Sequence, residues 1–382
     1  MRMLVMGAGL QGSACAYDLL QNPEVEQVTV ADMRIDSLPP FLERYRKDER
    51  LRLVRVDARN EEEVRGVMAG ATACMNALPY YFNLDITRIA VEAGVHYCDL
   101  GGNTAIVFDQ MKLDDDAKQK NISVIPDCGL APGMVNILAA AGIAELDEPE
   151  TVRIRVGGLP QDPQPPLNYQ IVYSLHGVLD YYTTDSWVLR DGEPLEVDAL
   201  SEVEPVEFPA PVGTLEAFHT AGGLSTMPWT YKDRLRNMEY KTLRYPGHAD
   251  AVRVIRDLGL LSLDPVEVSG GSVVPRDVFI ACAEPRLRRP EARDLVALRV
   301  EAEGKKDGRP RRIVFDLIDY HDEKTGITAM ERTTGFSLSI TGQMQARGQV
   351  KPGVLTPDLA VPAQAYIDEL KNRNIDIRRH EA

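Results

Sequence analysis

Gly7-Ala8-Gly9-Leu10-Gln11-Gly12 sets three glycines at GxGxxG spacing directly after the apolar run Met3–Met6. Asp32 follows about twenty residues later, at the end of a second apolar run, Val28–Ala31. The first glycine permits a tight turn, and the second lets the backbone approach a pyrophosphate. The third lets the following helix pack close to the strand. The first turn of that helix, from Leu10 and Gln11, offers unpaired N–H groups to phosphate. Asp32 is placed to accept hydrogen bonds from ribose hydroxyls, and its charge repels a 2′-phosphate. The expected cofactor is therefore NAD. Arg34 is a nearby cation of the kind that serves the phosphate of NADP, or a solvated surface residue.

Four more polar residues end later runs of the same kind: Asp57, Asn76, Asp99 and Asp127. In open α/β sheets, ligands lie outside the carboxyl ends of the strands. Asp57 is expected at the adenine end. Asn76-Ala77-Leu78-Pro79 is expected beside the pyrophosphate and the nicotinamide ribose. Asp99 and Asp127 are expected near the reacting end, although each aspartate also suits a helix cap or a turn.

The elements that must position these residues follow from the pattern. Runs at Met3–Met6, Val28–Ala31, Leu51–Val56, Ala73–Asn76, His96–Cys98 and Ile122–Ile125 alternate with helix-like stretches at Ser13–Leu20, Glu61–Met68, Asn83–Ala93 and Phe108–Lys120. This alternation predicts a doubly wound parallel sheet, a Rossmann domain over residues 1–130. Pro132 is placed to open a helix over about Gly133–Ala144. From about Thr151 the pattern becomes hairpin-like. Asp191-Gly192 and Lys306-Asp307-Gly308 each separate two strand-like runs,. They predict a second, mixed and largely antiparallel α/β domain over residues 131–332, with a surface for a symmetric dimer or higher homo-oligomer. Phe336, Ile340 and Met344 recur at spacing four, and Val361–Leu370 is amphipathic. Residues 333–382 are thus expected to be helical and to return to the first domain, or else to extend the second.

Composition narrows the partners. The net charge of −15, from 43 basic and 58 acidic residues, argues against nucleic acid, which needs a basic face,. No run approaches the ~20 apolar residues of a membrane span, and Met1-Arg2-Met3 opens no signal-peptide pattern, so the cytoplasm is the expected compartment,. Cys15, Cys74, Cys98, Cys128 and Cys282 form no CxxC pair and no zinc-like set, so no metal is expected,. Cys98 and Cys128, beside the two aspartates, read as packing.

Gly7–Gly12, Asn76–Tyr80, Gly129–Met134, Gly158–Pro160 and Leu243–Gly247 occur in this order. With them the chain resembles the saccharopine dehydrogenase (reductase) family over essentially its whole length. Asp99–Gly102, Pro165–Tyr169, Leu215–Thr220 and Tyr240–Tyr245 are most similar to the bacterial L-lysine 6-dehydrogenases of that family. The resemblance implies NAD-dependent oxidation at the ε-carbon of L-lysine. Ammonia leaves, and 2-aminoadipate 6-semialdehyde cyclises to a piperideine carboxylate. It also implies a Rossmann domain completed by C-terminal helices, plus a catalytic and dimerisation domain. His176 departs from the pattern, which leads one to expect an acid there.

Such a reaction needs a base for the ε-ammonium, proton transfers to hydrolyse an imine, and a clamp for the α-carboxylate. Arg244 suits the carboxylate. Asp127, His219 and Asp99, in that order, are the acid/base candidates. Tyr169, Tyr173 and His176 are expected to line the pocket, although the alternation over Tyr169–Leu175 is also plain strand patterning. Two other functions fit parts of the pattern: a dehydrogenase of saccharopine or another amino-acid adduct, and a non-catalytic NAD-sensing protein.

Overall fold

Short apolar strands feeding helices give a parallel sheet in the first third of the chain. The computed structural model describes residues 1–172, 174–289, 291 and 293–381. Its first six strands are β1 (Arg2–Met6), β2 (Gln27–Asp32), β3 (Leu51–Arg55), β4 (Ala73–Asn76), β5 (His96–Asp99) and β6 (Ser123–Ile125). They lie in the order β6-β5-β4-β1-β2-β3, with the short strand Gly353–Val354 beside β6. All pairings are parallel. The order reverses between β1 and β4, where the crevice of a doubly wound sheet opens. Register decides what faces that crevice. Met6 pairs with Asn76 and Asn76 with Asp99, so Gly7, Asn76 and Asp99 share one edge.

Phe108–Lys120, expected as one helix, is two: Thr104–Met111 and Asp114–Gln119. Three aspartates in a row start the second, where negative charge favours a helix N-terminus. Pro132 does not open the next helix. Gly133, at φ +133°, caps Met134–Ala144, and a Cβ there would overlap the Gly129 carbonyl.

The second sheet is mixed. Its central strand, β7 (Glu148–Pro160), runs antiparallel to Asp294–Lys306 and parallel to Asn237–Arg244. Outward from these lie Arg309–Tyr320 and Arg378–Glu381 on one side, and Thr214–His219 and Glu204–Glu207 on the other. Both expected hairpins form. Asp191 and Gly192 take φ +48° and +85°, and Asp307 and Gly308 take +51° and +71°, as two-residue loops between right-twisted strands require,.

The helix Ala329–Ala346 joins the two sheets. Asp294 of the second sheet accepts the Ala329 and Met330 N–H groups at 2.8 and 2.9 Å. Further on, a Cβ at Gly335 would meet Ala14 and the Gln11 carbonyl at 2.7 Å, so this helix lies against Leu10–Gln21. Buried Asp18 ties the contact to Ser339 (2.7 Å) and Arg373 (2.7 Å). Phe336, Ile340 and Met344 enter a core shared with Val5, Leu19, Val296 and Leu298. Each such side chain contributes roughly 1.5–3 kcal/mol of burial. Among the described residues, no helix is long and apolar enough to cross a membrane.

Candidate active site

The glycine loop takes the shape its sequence requires. Gly7 sits at φ +99°, and a Cβ at Gly12 would overlap the Gly7 carbonyl oxygen. A Cβ at Gly9, the N-cap of Leu10–Gln21, would meet nothing within 4 Å, so space for a phosphate lies over the helix N-terminus,. Asp32 accepts the Ala8 N–H at 2.8 Å and the Arg34 N–H at 2.7 Å, which fixes its carboxylate beside the loop. Asp57 follows β3. Its carboxylate holds Arg59, whose side chain pulls it down to about 2. Asn76 is fully buried. It donates to Asn83 (2.9 Å) and Tyr97 (3.0 Å) and accepts the Leu78 N–H (3.2 Å). It thereby positions the Ala77–Pro79 turn, whose Ala77 carbonyl lies 3.2 Å from where a Gly7 Cβ would stand. These residues fit a dinucleotide.

A cavity of about 820 Å³ extends from Gly9, Leu10 and Gln11 past Ala77–Pro79 to the second sheet. A separate pocket of about 70 Å³ at the opposite end of the parallel sheet, near Arg2 and Arg52, is too small for such a ligand. The far wall of the large cavity carries Tyr240, Thr242 and Arg244, alternate residues of the strand Asn237–Arg244. Arg244 is 4% exposed. Its guanidinium lies 4.9 Å from the centre of the Tyr169 ring, and its Nε donates to Tyr182 Oη at 3.2 Å. Tyr182 in turn lies 3.0 Å from His248 Nε2, and His248 Nδ1 lies 3.0 Å from the Leu167 carbonyl. Burial and the Arg244 charge push His248 down to about 3, so its ring is neutral. Nδ1 then donates to the carbonyl, Nε2 accepts the Tyr182 hydroxyl, and the tyrosine oxygen is left to accept from Arg244. Tyr169 supports Arg244 from below and does not itself line the cavity.

The expected acid/base residues separate. Asp99 is fully buried, and its oxygens accept from Gly101 N–H (2.8 Å), Asp127 N–H (3.1 Å) and Gln110 (2.7 Å). That arrangement shapes the loop and leaves little for a substrate. Asp127, at φ +62° and 2% exposed, lies behind Gly101 of the cavity wall. A Cβ at Gly101 would overlap Asp127 Oδ1, an oxygen with no hydrogen-bond partner among the described residues. Burial, reinforced by Asp99, pushes Asp127 up to about 7. Cys98 and Cys128 are buried, and burial raises both thiols, which suits packing.

His219 lies elsewhere. It pairs in register with Lys241, so both project from the sheet face opposite Tyr240, Thr242 and Arg244. Its ring nitrogens meet the Tyr240 carbonyl (3.2 Å) and Glu202 (3.1 Å). Glu202, His219 and Glu239 could each offer a metal one atom, all within 4.8 Å of one another. Arg190 already pairs with Glu202 (2.7 Å) and Glu239 (3.1 Å), which is the behaviour of an ion network.

His176 does line the cavity, and Tyr173 lies outside the described residues. The described residues of this segment form no strand and lead into the helix Leu175–Thr183, whose N-cap Ser174 accepts the Gly177 N–H. This helix adds Asp180 and Tyr181 to the wall, and Arg288 completes it. Reasoning from sequence missed these three, together with Tyr240 and Thr242. The i, i+4 spacing of His176 and Asp180 was the available signal.

Residues 3–125 match the family described as saccharopine dehydrogenase NADP binding domain, and residues 129–375 match saccharopine dehydrogenase C-terminal domain. A carboxynorspermidine synthase of Vibrio alginolyticus is 25% identical, covering 90% of this chain and 88% of its own. The NADP-dependent, L-glutamate-forming saccharopine dehydrogenase of Pyricularia oryzae is 26% identical over 55% of this chain and 48% of its own. In fold, the chain is similar to the L-Glu-forming saccharopine dehydrogenase of Saccharomyces cerevisiae, with TM-score 0.80 at 19% identity over 100% of this chain and 99% of that one. It is also similar to the homospermidine synthase of Legionella pneumophila solved with NAD, with TM-score 0.71 at 11% identity over 100% of this chain and 91% of that one. The matched domains together span nearly the whole chain, which therefore belongs to the saccharopine dehydrogenase family of oxidoreductases.

Proposed function

We propose that this protein oxidises the terminal amine carbon of L-lysine with NAD, releasing ammonia and 2-aminoadipate 6-semialdehyde. The observation that carries the reading is one cavity with a buried guanidinium, Arg244, on its far wall and a buried carboxyl, Asp127, behind Gly101. A lysine amine titrates near ~10.4 and is protonated at neutral pH. Its nitrogen lone pair must be freed before the C=N bond can form. A carboxyl raised to about 7 is matched to that task near neutrality,. Arg244 takes the α-carboxylate, and Asp180, held by Arg276, faces the α-ammonium,. Gly7–Gly12 and Asn76–Pro79 would hold NAD, with Asp32 toward the ribose; when bound, NAD supplies the hydride acceptor. Asp127, aided by the hydroxyl of Tyr181 on the same wall, manages the protons of imine formation and hydrolysis.

One observation favours a second reading. Arg288, whose guanidinium pairs with Glu284, also lines the cavity, and a second cation beside Arg244 suits a substrate with two carboxylate arms, such as saccharopine. The test is NADH formation screened against all amino acids, diamines and saccharopine. Lysine-dependent NADH with stoichiometric ammonia is expected. Turnover of saccharopine alone moves the assignment to the adduct reading.

A further inference from the structure

Arg244 is held from behind by a chain of hydrogen bonds that lies off the cavity. Its Nε donates to Tyr182 Oη at 3.2 Å, Tyr182 Oη lies 3.0 Å from His248 Nε2, and His248 Nδ1 lies 3.0 Å from the Leu167 carbonyl oxygen. Tyr182 and His248 are each 2% exposed, and neither lines the cavity. The turn after Arg244 brings the histidine back toward it. Gly247 takes φ +91°, and Glu216, directly opposed to Arg244 in the antiparallel register, accepts the N–H groups of Gly247 (2.8 Å) and Ala249 (2.6 Å). His248 therefore opens the helix His248–Asp257 with its ring stacked on Phe218 (6.2 Å, 9°) and edge-on to Tyr169 (5.5 Å, 66°). The two ends of the chain fix the direction of every bond in it. A backbone carbonyl only accepts, so Nδ1 carries the ring proton. A guanidinium N–H only donates, so the Tyr182 oxygen accepts it and turns its own proton to Nε2. A doubly protonated ring would remove that acceptor, and burial and the Arg244 charge hold the ring neutral.

We propose that Tyr182 and His248 are positioning residues for substrate recognition: they hold the Arg244 guanidinium in the one plane from which it pairs with a carboxylate in the cavity, and so set the preference for an amino acid over the corresponding amine. The proposal rests on the reading of Arg244 as the carboxylate clamp. A guanidinium pairs bidentately with a carboxylate only when two of its N–H groups point at it in a common plane. An arginine side chain has several rotatable bonds, and burial alone does not choose among its rotamers. Here the Tyr182 bond at Nε, the Leu243 carbonyl at Nη1 (2.8 Å) and the Tyr169 ring, 4.9 Å from the guanidinium carbon, together select one. The Tyr182 oxygen serves Nε best while its proton points away to an acceptor, and His248 Nε2 is that acceptor. His248 thus acts on Arg244 through Tyr182, and neither residue touches substrate.

The test measures steady-state NADH formation by Tyr182→Phe, His248→Phe, His248→Gln and the double variant Tyr182→Phe/His248→Phe in the full chain. Each is assayed with the amino acid that wild type turns over best and with its decarboxylated counterpart. Phenylalanine at position 182 keeps the ring and removes the bond to Nε, so KM for the amino acid should rise about fivefold, the factor that one ordinary hydrogen bond carries, with a smaller change in kcat. His248→Phe should raise KM by no more than that, and His248→Gln, which keeps one donor and one acceptor, should restore most of the affinity. The double variant should rise no further than Tyr182→Phe alone, because the histidine acts through the hydroxyl. A KM for the decarboxylated amine that rises by the same factor would show a merely structural role, and effects of the two single variants that multiply would break the relay; either result overturns the proposal. Crystal structures of wild type and Tyr182→Phe read it without any substrate: a guanidinium turned out of its wild-type plane supports the proposal, and one left in place refutes it. A wild type with no preference for the carboxylate defeats the clamp reading, and the crystal comparison still decides whether the relay holds the guanidinium.

Discussion

Arg244→Met separates the charge of the proposed carboxylate clamp from its bulk. Methionine keeps an unbranched side chain against Tyr169 and removes every N–H. Tyr182 keeps its hydrogen bond to His248 at 3.0 Å, so the neutral ring and the Leu167 contact survive. The contacts that disappear inside the protein include the bond to Tyr182, the 2.8 Å bond to the Leu243 carbonyl and the stacking on Tyr169. Each is worth about 1 kcal/mol. Those losses fall on stability; the loss in binding is separate, because a bond from a cation to a carboxylate is worth about 1.5–3 kcal/mol. At about 1.4 kcal/mol per decade, the KM for lysine should rise roughly 10- to 150-fold. The clamp lies far from the reacting carbon and acts equally in ground and transition states, so kcat should stay within about threefold. The assay is steady-state NADH formation with L-lysine and with cadaverine, which lacks the carboxylate. Wild type should prefer lysine, and Arg244→Met should nearly erase the preference. An unchanged lysine-to-cadaverine ratio in the variant would show that Arg244 does not hold the carboxylate.

Three further outcomes follow from other parts of the molecule. Asp32 should make kcat/KM higher for NAD than for NADP, and Asp32→Ser should narrow the gap; equal use of both cofactors by the wild type defeats this. Asp127, raised to about 7, stays protonated in the folded state while the unfolded chain ionises near ~3.9,. The stability it contributes is therefore present below about pH 4 and is lost as pH rises to about 7, by up to about 1.4 kcal/mol per unit. Asp127→Asn should gain on wild type across that window and level off above it, and parallel curves in urea unfolding would contradict the sign. Asp18→Ala should cost about 1–3 kcal/mol in the same assay, because Ser339 and Gln343 of Ala329–Ala346 lose a buried acceptor while Arg373 keeps only Glu369; a loss under about 0.5 kcal/mol would mean that the contact is held by apolar packing alone,.

Much of the first sheet was legible because its signals are local. A four- to six-residue apolar run, a glycine turn and an amphipathic stretch each declare themselves within about ten residues. The two Asp-Gly hairpins are equally local. The second sheet's order was not, because β7 pairs with strands about 85 and 145 residues further along the chain, and nothing in a window of sequence carries such a pairing. The helix Leu175–Thr183 shows the other limit. Alternation over Tyr169–Leu175 imitates a strand, and the structure resolves the imitation by turning at Asn168, φ +48°, and capping a helix on Ser174.

The candidate site divides along the same line, and strand parity explains how. Arg244, Thr242 and Tyr240 alternate on one strand, so placing Arg244 on the cavity also places the other two there. The same rule puts Lys241 on the opposite face. His219 is Lys241's partner in the antiparallel register, and directly opposed residues share a face,. His219 is thereby removed from the cavity without any appeal to its chemistry. Its neighbours in sequence, Phe218 and Thr220, could not reveal this, since the histidine is attractive on either face until the register is known. Asp99 and Asp127 make the complementary case. Both follow parallel strands at the crevice, and as sequence they are alike. They differ in what reaches their oxygens: three donors satisfy Asp99, whereas Gly101, having no side chain, leaves Asp127 an oxygen with its bonds unmade. The glycine two residues after Asp99 was in plain view, but its use, room for a carboxyl 26 residues away, exists only in the fold.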